Sequence, residues 1–185
     1  EDGSVNSYNC PVVTGYPDVI DSSISPLTKF GIPFDAPIIS FLNEDLLYKG
    51  CKAYFVNILA IDKKDFDKAF KKALKEQVRI KEELKKEGEK IIKYAKETQT
   101  PTILIVSRPY HIDPLINHKI PETIASFGIN VLTEDGLDID QSLADVQVLT
   151  QWSYPNKMFK AALWAAAQKD LKLEVIQINS FVCGP

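Results

Sequence analysis

The sequence predicts an α/β protein with a Rossmann-like, three-layer parallel sheet, helices on both of its faces, and one long helix. Three observations predict this class. From Thr102 onward, short apolar runs alternate with helical patterns. Before them, apolar residues recur at steps of three and four from Asp62 to about Glu97. The 185 residues are 45% hydrophobic, which is enough to bury one substantial core or two small ones.

The amino-terminal segment of the fold is expected to cover residues 9–100, because residues 1–8 are small and polar and predict a tag remnant or mobile end. Residues 9–35 carry four prolines and two glycines, which predicts loop with at most a short strand. Residues 37–41, PIISF, predict a strand. We expect Asn43 to cap the following helix. The buried face of that helix is expected to consist of Leu46, Leu47, Tyr54, Phe55 and Leu59.

The longest predicted helix begins at Asp62 and ends near Glu97. Lysine and glutamate occupy the face opposite its apolar stripe. That charged face predicts a solvated surface with pairs such as Glu82 and Lys86, rather than a coiled coil or a nucleic-acid-binding arm. The stripe consists of Phe66, Phe70, Ala73, Leu74, Gln77, Ile80, Leu84, Gly88, Ile91, Ile92 and Ala95.

Residues 101–185 predict a Rossmann-like β-α-β-α-β unit. One helix is expected from about Pro121, with Gly128 just past its end, and a second from about Pro155 to Lys169. The strands are expected in TILIVS, INVLT and LEVIQIN, and the last of these is expected to be buried. Because the carboxyl ends of parallel strands share one edge, the chemistry of such a sheet gathers beyond that edge.

Polar and turn-forming residues collect at these strand ends, in SRPYHIDPLINHKIP, TEDG, QWSYPN and NSFVCGP. Each residue alone can cap a helix or mark a turn, and together they predict a candidate site. His111 and His118 are either hydrogen-bonding or capping groups or ligand contacts, and their loop lacks the ligand set of a catalytic zinc. No catalytic residue is assigned. The candidate ligand-binding residues are Arg108, Tyr110, His111, Asn117, His118, Tyr154, Asn156, Asn179 and Ser180.

Charge, hydropathy and cysteine spacing narrow the function class. The net charge is −3, from 22 basic and 25 acidic residues, so nucleic acid is not an expected partner. No apolar run approaches the roughly 20 residues that span a bilayer, so no membrane association and a cytoplasmic location are expected. Cys10, Cys51 and Cys183 are an odd, widely spaced set, which leaves reduced thiols, buried packing or metal ligation. Met158 is the only methionine, so we expect the chain to be a piece of a longer protein.

Five sequence blocks carry a family resemblance that runs from Asn9 to Pro185: NCPVVTGYPDVI, RPYHIDPLINHKIP, VLTED, WSYPNK and QINSFVCGP. Together they resemble proteins linked to acyl-CoA dehydratase activases, related to 2-hydroxyglutaryl-CoA dehydratase subunits and double-cubane-cluster proteins. The resemblance implies an iron–sulfur protein of anaerobic metabolism that accepts electrons from an ATP-dependent activase. It implies that Cys10 and Cys183 are ligands of a [4Fe-4S] cluster in the longer protein, with a further cysteine upstream of Glu1.

Several functions stay open at this point. The enzyme, if there is one, is expected to be a 2-hydroxyacyl-CoA dehydratase-like protein or an ATP-coupled low-potential reductase component. The alternatives are a redox-silent module that binds an acyl-CoA or another small ligand, and a domain whose long helix docks the activase. Cys51 is expected to pack in the interior. With two candidate thiolates where a cluster commonly has four, we expect this chain to fold without a stable cluster.

Overall fold

The computed structural model describes residues 11–41, 43–148 and 152–179, which belong to two compact units. The helical unit runs from Pro11 to Ile80, and the sheet unit contains the described residues from Lys81 onward. The helices are α1 (Pro11–Ile24), α2 (Pro26–Phe30), α3 (Glu44–Phe55), α4 (Lys63–Thr98), α5 (Ile120–Ser126) and α6 (Ser153–Ala167), and the strands are β1 (Thr102–Ser107), β2 (Asn130–Thr133) and β3 (Leu173–Ile178).

The prediction of loop over residues 9–35 is wrong, because α1 and α2 occupy most of the described part of that segment. Pro11 and Pro26 are the first residues of the two helices, where the missing N–H has no intrahelical acceptor to lose. Gly31 follows α2 with a φ of 65°, which glycine adopts without strain. Gly15 and Pro17 lie inside α1. Three of the residues that predicted interruption, Pro11, Pro26 and Gly31, therefore mark helix boundaries instead.

The prediction of a strand over residues 37–41 is also wrong, since this segment has no regular secondary structure. A strand needs a neighbour to satisfy its backbone groups, and apolar composition does not supply one. Ile38 is 94% exposed, so its side chain is not part of a core.

Helix α3 confirms the predicted cap, because the Asn43 Oδ1 atom accepts a hydrogen bond from the Leu46 backbone N–H at 2.8 Å. Its buried face is smaller than predicted. Leu47 is buried, Leu46 and Phe55 stay partly exposed, and Leu59 lies beyond the helix end. The helix stops at Phe55, so its periodicity cannot carry Leu59 onto the same face.

Aromatic rings join α3 to the first part of α4. The Tyr48 ring centroid lies 5.5 Å from that of Phe66 and 5.2 Å from that of Phe70. The Tyr48 hydroxyl donates a hydrogen bond to Asp67 Oδ1 at 2.7 Å, and Lys63 Nζ contacts Asp67 Oδ2 at 2.7 Å. The hydrogen bond fixes the polar edge of this cluster, while the rings bury apolar area.

Helix α4 confirms the predicted long helix. Asp62 Oδ1 accepts hydrogen bonds from the backbone N–H groups of Lys64 and Asp65, which caps the start. The apolar stripe is buried only towards its ends, at Phe66 in the helical unit and at Gly88 and Ala95 in the sheet unit. Within the described ranges, neither α4 nor any other helix has the length and apolar character needed to cross a membrane.

The predicted strand–helix alternation is confirmed, and the three strands form a parallel sheet in the order β2-β1-β3. Thr102 pairs with Asn130 of β2 and with Leu173 of β3. Gly128 follows α5 with a φ of 75°, as its predicted place past the helix end requires. The core beside the sheet combines Leu104, Val106 and Leu132 with Met158, Ala161 and Ala165 of α6, and with half-buried Ile91 and Ile92 of α4.

The prediction that β3 is buried is wrong. Val175 and Ile176 are 41% and 39% exposed, and Glu174 and Gln177 are exposed as well. A continuous apolar run predicts a strand covered on both faces, which holds for a central strand of a parallel sheet. β3 lies at the edge of this sheet, where it has one paired neighbour.

We predict that Leu104→Ala destabilises the sheet unit by about 2–5 kcal/mol, because it removes a fully buried side chain and leaves a cavity. Trp152 and Trp164, the two tryptophans of the sequence, both lie in this unit, so their fluorescence during urea unfolding reports on it. Leu115→Ala is the control, because Leu115 is 95% exposed and its truncation should change stability by about 0.5 kcal/mol or less. Equal effects of the two substitutions would contradict the assigned core.

Candidate functional site

A cleft of about 480 Å³ lies in the sheet unit, where the segment after β2 approaches the start of α6. We call it the strand-end cleft. Its volume is in the range of small-molecule sites. Its walls combine apolar side chains from the segment after β2 with polar and cationic side chains from two helices. The lining residues are Glu134, Leu137 and Ile139 after β2, Ser153, Tyr154, Asn156, Lys157 and Lys160 of α6, and Lys85 of α4.

Glu134 is the buried ionisable group of this cleft. It begins the short 3-10 turn Glu134–Gly136 directly after β2, and only 4% of the residue is exposed. Among the described residues, its Oε2 atom has no hydrogen-bond partner. Burial raises the pKa of the Glu134 carboxyl, and Asp135 adds to the rise, while backbone hydrogen bonds and Lys157 oppose it. The carboxyl is therefore biased towards its protonated form.

Three lysines line the cleft together with Glu134. Lys157 forms an ion pair with Asp135, and Lys85 forms one with Asp138. Lys160 lies one helical turn beyond Lys157 and has no ion-pair partner in the part of the chain that the structure describes. Helix α6 also begins at the cleft, and its first turn contains no acidic residue, so the positive end of the helix dipole is not offset there.

A contact between two glycines holds the Glu134–Gly136 turn against α4. A Cβ atom at Gly88 would overlap the carbonyl oxygen of Gly136. A Cβ atom at Gly136, in contrast, would lie 3.5 Å from the Gly88 Cα atom, which is an ordinary contact distance. The helix can approach the turn this closely because Gly88 has no side chain. The same approach brings Lys85, one turn earlier on α4, to the cleft.

Of the residues predicted from the sequence, Tyr154 and Asn156 line the cleft. Tyr154 is exposed, whereas Asn156 is buried at 3% exposure. Both lie in the first turn of α6, so the helix start determines their positions. The structure thus brings the SYPN motif together with the TEDG motif that contains Glu134.

Arg108, Tyr110 and His111 follow β1 and are not among the residues that line the strand-end cleft. The Tyr110 and His111 rings lie 4.4 Å apart between centroids. Burial lowers the pKa of His111, and the positive charge of Arg108 adds to this effect. The Nδ1 atom of His111 is buried without a hydrogen-bond partner among the described residues.

The remaining candidates have local surroundings of their own. Asn117 is buried, and its Oδ1 atom accepts a hydrogen bond from the Lys119 backbone N–H at 2.8 Å, which stabilises a turn. His118 is exposed and has a φ of 53°, and Asn179 is exposed just after β3. Ser180, Cys10 and Cys183 lie outside the described residues.

Cys51 lies in α3 and is half-buried, not fully buried as the sequence predicted. Its surroundings are apolar, and burial raises the pKa of its thiol. Among the described residues, no three histidine, cysteine, aspartate or glutamate side chains form a group that could hold a metal ion.

Sequence reasoning missed four charged residues of the cleft: Glu134, Lys157, Lys160 and Lys85. The TEDG motif gave a signal for Glu134, because it directly follows a predicted strand. Lys157 and Lys160 follow SYPN at helical spacing, which a search for cationic neighbours could have found. Lys85 could not be found in this way, because a close approach between distant segments brings it to the cleft.

The fold and cleft together define an α/β protein with a potential ligand site at the carboxyl ends of its strands. Residues 1–137 match the family model described as CoA enzyme activase uncharacterised domain (DUF2229). This match covers more than half of the 185 residues, so the chain belongs to that family, and the resemblance to proteins linked to acyl-CoA dehydratase activases is confirmed. Neither a curated protein nor a solved structure was found that matches the chain.

We predict that Gly88→Ala destabilises the sheet unit by about 1–3 kcal/mol, because the added methyl group must displace the Glu134–Gly136 turn. Without that contact, replacing glycine by alanine in a helix interior would stabilise the protein by about 1 kcal/mol. A loss of stability therefore indicates that the contact with the turn constrains Gly88. Urea unfolding followed by tryptophan fluorescence measures it. Gly136→Ala is the matched control on the other side of the same contact, and it should be tolerated. A stabilised Gly88→Ala variant would show that the contact does not constrain the turn.

We predict that the stability of the protein relative to a Glu134→Gln variant falls as pH rises. The folded-state pKa of Glu134 is raised above its ordinary value of 4.5, so folding favours the protonated carboxyl. The resulting stability is fully present below the unfolded pKa and is lost as pH rises through the folded pKa. Glutamine has no proton to lose, so the stability of Glu134→Gln relative to that of the wild-type protein should increase between pH 4.5 and pH 7.

Urea unfolding of both proteins at the two pH values measures this difference. Glu174→Gln is the control, since Glu174 is exposed on β3 and does not lie at a helix start. A pH-independent difference between the wild-type protein and Glu134→Gln would contradict the raised pKa.

Proposed function

We propose that the chain is part of an iron–sulfur protein related to 2-hydroxyacyl-CoA dehydratases, which accepts electrons from an ATP-dependent activase. The observation that carries this proposal is membership of the CoA enzyme activase domain family over residues 1–137. The family description links the chain to the activation of CoA enzymes. Activation that depends on ATP and low-potential electrons needs an acceptor site, and thiolate-bound iron–sulfur clusters serve this role in proteins.

Cys10 and Cys183 are the proposed cluster ligands in the longer protein, together with cysteines from outside this chain. In sequence, Cys183 follows the last residue of β3 by five positions, and sites in parallel sheets gather beyond the carboxyl ends of the strands. In this proposal the sheet belongs to one of two Rossmann-like, three-layer lobes that enclose the cluster. The protein is then a cytoplasmic component of anaerobic metabolism, either dehydratase-like or a low-potential reductase.

A second candidate function is a redox-silent module that binds an acyl-CoA or another small ligand. The specific observation in its favour is the strand-end cleft, with apolar residues on one wall and lysines on another. Anionic groups of the ligand would lie near the lysines and its hydrocarbon groups near Leu137 and Ile139. A third possibility, that α4 docks the activase through its charged face, is supported by the exposure of that face.

We predict that the longer protein, purified without oxygen, contains iron and sulfide and has the broad visible absorption of an iron–sulfur cluster. Cys10→Ser and Cys183→Ser should each lower its iron content, because each removes a thiolate ligand. Cys51→Ser is the matched control and should retain the cluster, since Cys51 lies in α3 among apolar side chains. Iron and sulfide analysis and absorption spectra measure the outcome. A cluster that survives loss of both Cys10 and Cys183 would refute the ligand assignment, and a longer protein without iron would favour the ligand-binding module.

A further inference from the structure

The strand-end cleft contains a polar atom whose hydrogen-bonding capacity the described protein does not use. Glu134 is 4% exposed, and its Oε2 atom has no partner among the described residues. A buried oxygen without a partner destabilises the folded protein, and a correctly placed ligand atom would remove that cost. Because Glu134 lines the cleft, its carboxyl is the candidate partner for a molecule bound there.

The cleft also provides a place for one negative charge. Two of its lysines, Lys85 and Lys157, already form ion pairs with Asp138 and Asp135. Lys160 has no such pair among the described residues, and α6 begins at the same cleft without an acidic residue in its first turn. These two features suit a single anionic group, since each additional charge on a ligand would require one of the existing pairs to break.

The third feature of the cleft is an apolar wall formed by Leu137 and Ile139. Leu137 belongs to the hydrophobic core, and Ile139 packs against that core. A ligand with a hydrocarbon part would remove apolar area from water at this wall.

We propose that the strand-end cleft binds a short aliphatic monocarboxylate. In this site the carboxylate lies between Lys160 and the start of α6, one of its oxygens accepts a hydrogen bond from the protonated Glu134 carboxyl, and the hydrocarbon chain covers Leu137 and Ile139. The proposal rests on one statement of the second candidate function, namely that the cleft is a ligand site. It holds whether or not the longer protein contains an iron–sulfur cluster. It assigns to Glu134 the role of an uncharged donor that discriminates in favour of anions.

The protonation of Glu134 couples the proposed site to pH. Proton binding to Glu134 removes a negative charge beside the ligand, so affinity should fall as pH rises through the pKa of this carboxyl, by up to about tenfold per pH unit. Among the charged groups nearby, Asp135 of the same turn raises the pKa of Glu134 and Lys157 of α6 lowers it. The other charged or titratable groups at the cleft are Lys85 of α4 with its partner Asp138, and Tyr154 and Lys160 of α6.

Calorimetric titration of the 185-residue chain with hexanoate between pH 6 and pH 8 tests the proposal. Hexanoate is ionised throughout this range, so the pH dependence belongs to the protein. We expect binding that weakens with rising pH in the wild-type protein, and binding without that dependence in Glu134→Gln, because glutamine keeps a neutral donor. Lys160→Met should weaken binding about tenfold, the usual effect of losing a charge-assisted hydrogen bond. Glu122→Gln and Lys172→Met are the controls on exposed residues and should bind as the wild-type protein does.

Three results would overturn the inference: hexanol binding as tightly as hexanoate, no effect of Lys160→Met, or the same pH dependence in the wild-type protein and Glu134→Gln. Hexanoyl-CoA serves as a second ligand that separates the two proposals. Binding of hexanoyl-CoA without binding of hexanoate would refute the monocarboxylate site and leave the second candidate function in place. Binding of neither would refute both. Tryptophan fluorescence of each variant, which reports on the sheet unit, verifies that it is folded.

Discussion

The parallel pairing of β1 with both of its neighbours is the constraint on which the sheet unit depends. Thr102 is paired on both sides, with Asn130 and with Leu173, so all three strands run in the same direction. Parallel strands of one sheet cannot be joined by a tight turn, so α5 lies on the connection from β1 to β2 and α6 on the connection from β2 to β3. The ends of the strands consequently share an edge, and the strand-end cleft forms where the segment after β2 meets the start of α6.

A buried carboxyl beside a helix start is an unusual combination for a purely structural element. Burying the Glu134 carboxyl costs free energy. An apolar side chain at this position could pack in the interior without that cost. Polar groups that break the rules of core packing are concentrated at functional sites, where a ligand completes their hydrogen bonds. The Gly88–Gly136 contact then has a functional meaning, because it holds the turn that carries Glu134 against α4 and brings Lys85 to the same cleft.

The helical unit shows how proline-rich sequence can mislead. Pro11 and Pro26 each begin a helix, a position where the ring's fixed φ is an advantage. The number of prolines in a segment does not predict its secondary structure, because the effect of each proline depends on its position relative to a helix. PIISF is predicted as a strand because its residues favour strands. In the described part of the chain no partner strand pairs with it, and it has no regular secondary structure. Strand preference expresses packing against neighbours, which a local sequence does not contain.

The sequence by itself determined the α/β class, the order of the three strands and two crossover helices along the chain, the cap at Asn43 and the extent of α4, because periodicity and capping are local. It also indicated the edge where TEDG and SYPN meet, since parallel strands place their ends together. Only the tertiary structure decided that Glu134 is buried, that Lys85 lines the same cleft, that β3 is exposed and that Arg108 and His111 do not line the cleft. These outcomes depend on which surfaces cover one another, and that is a property of contacts between residues distant in sequence.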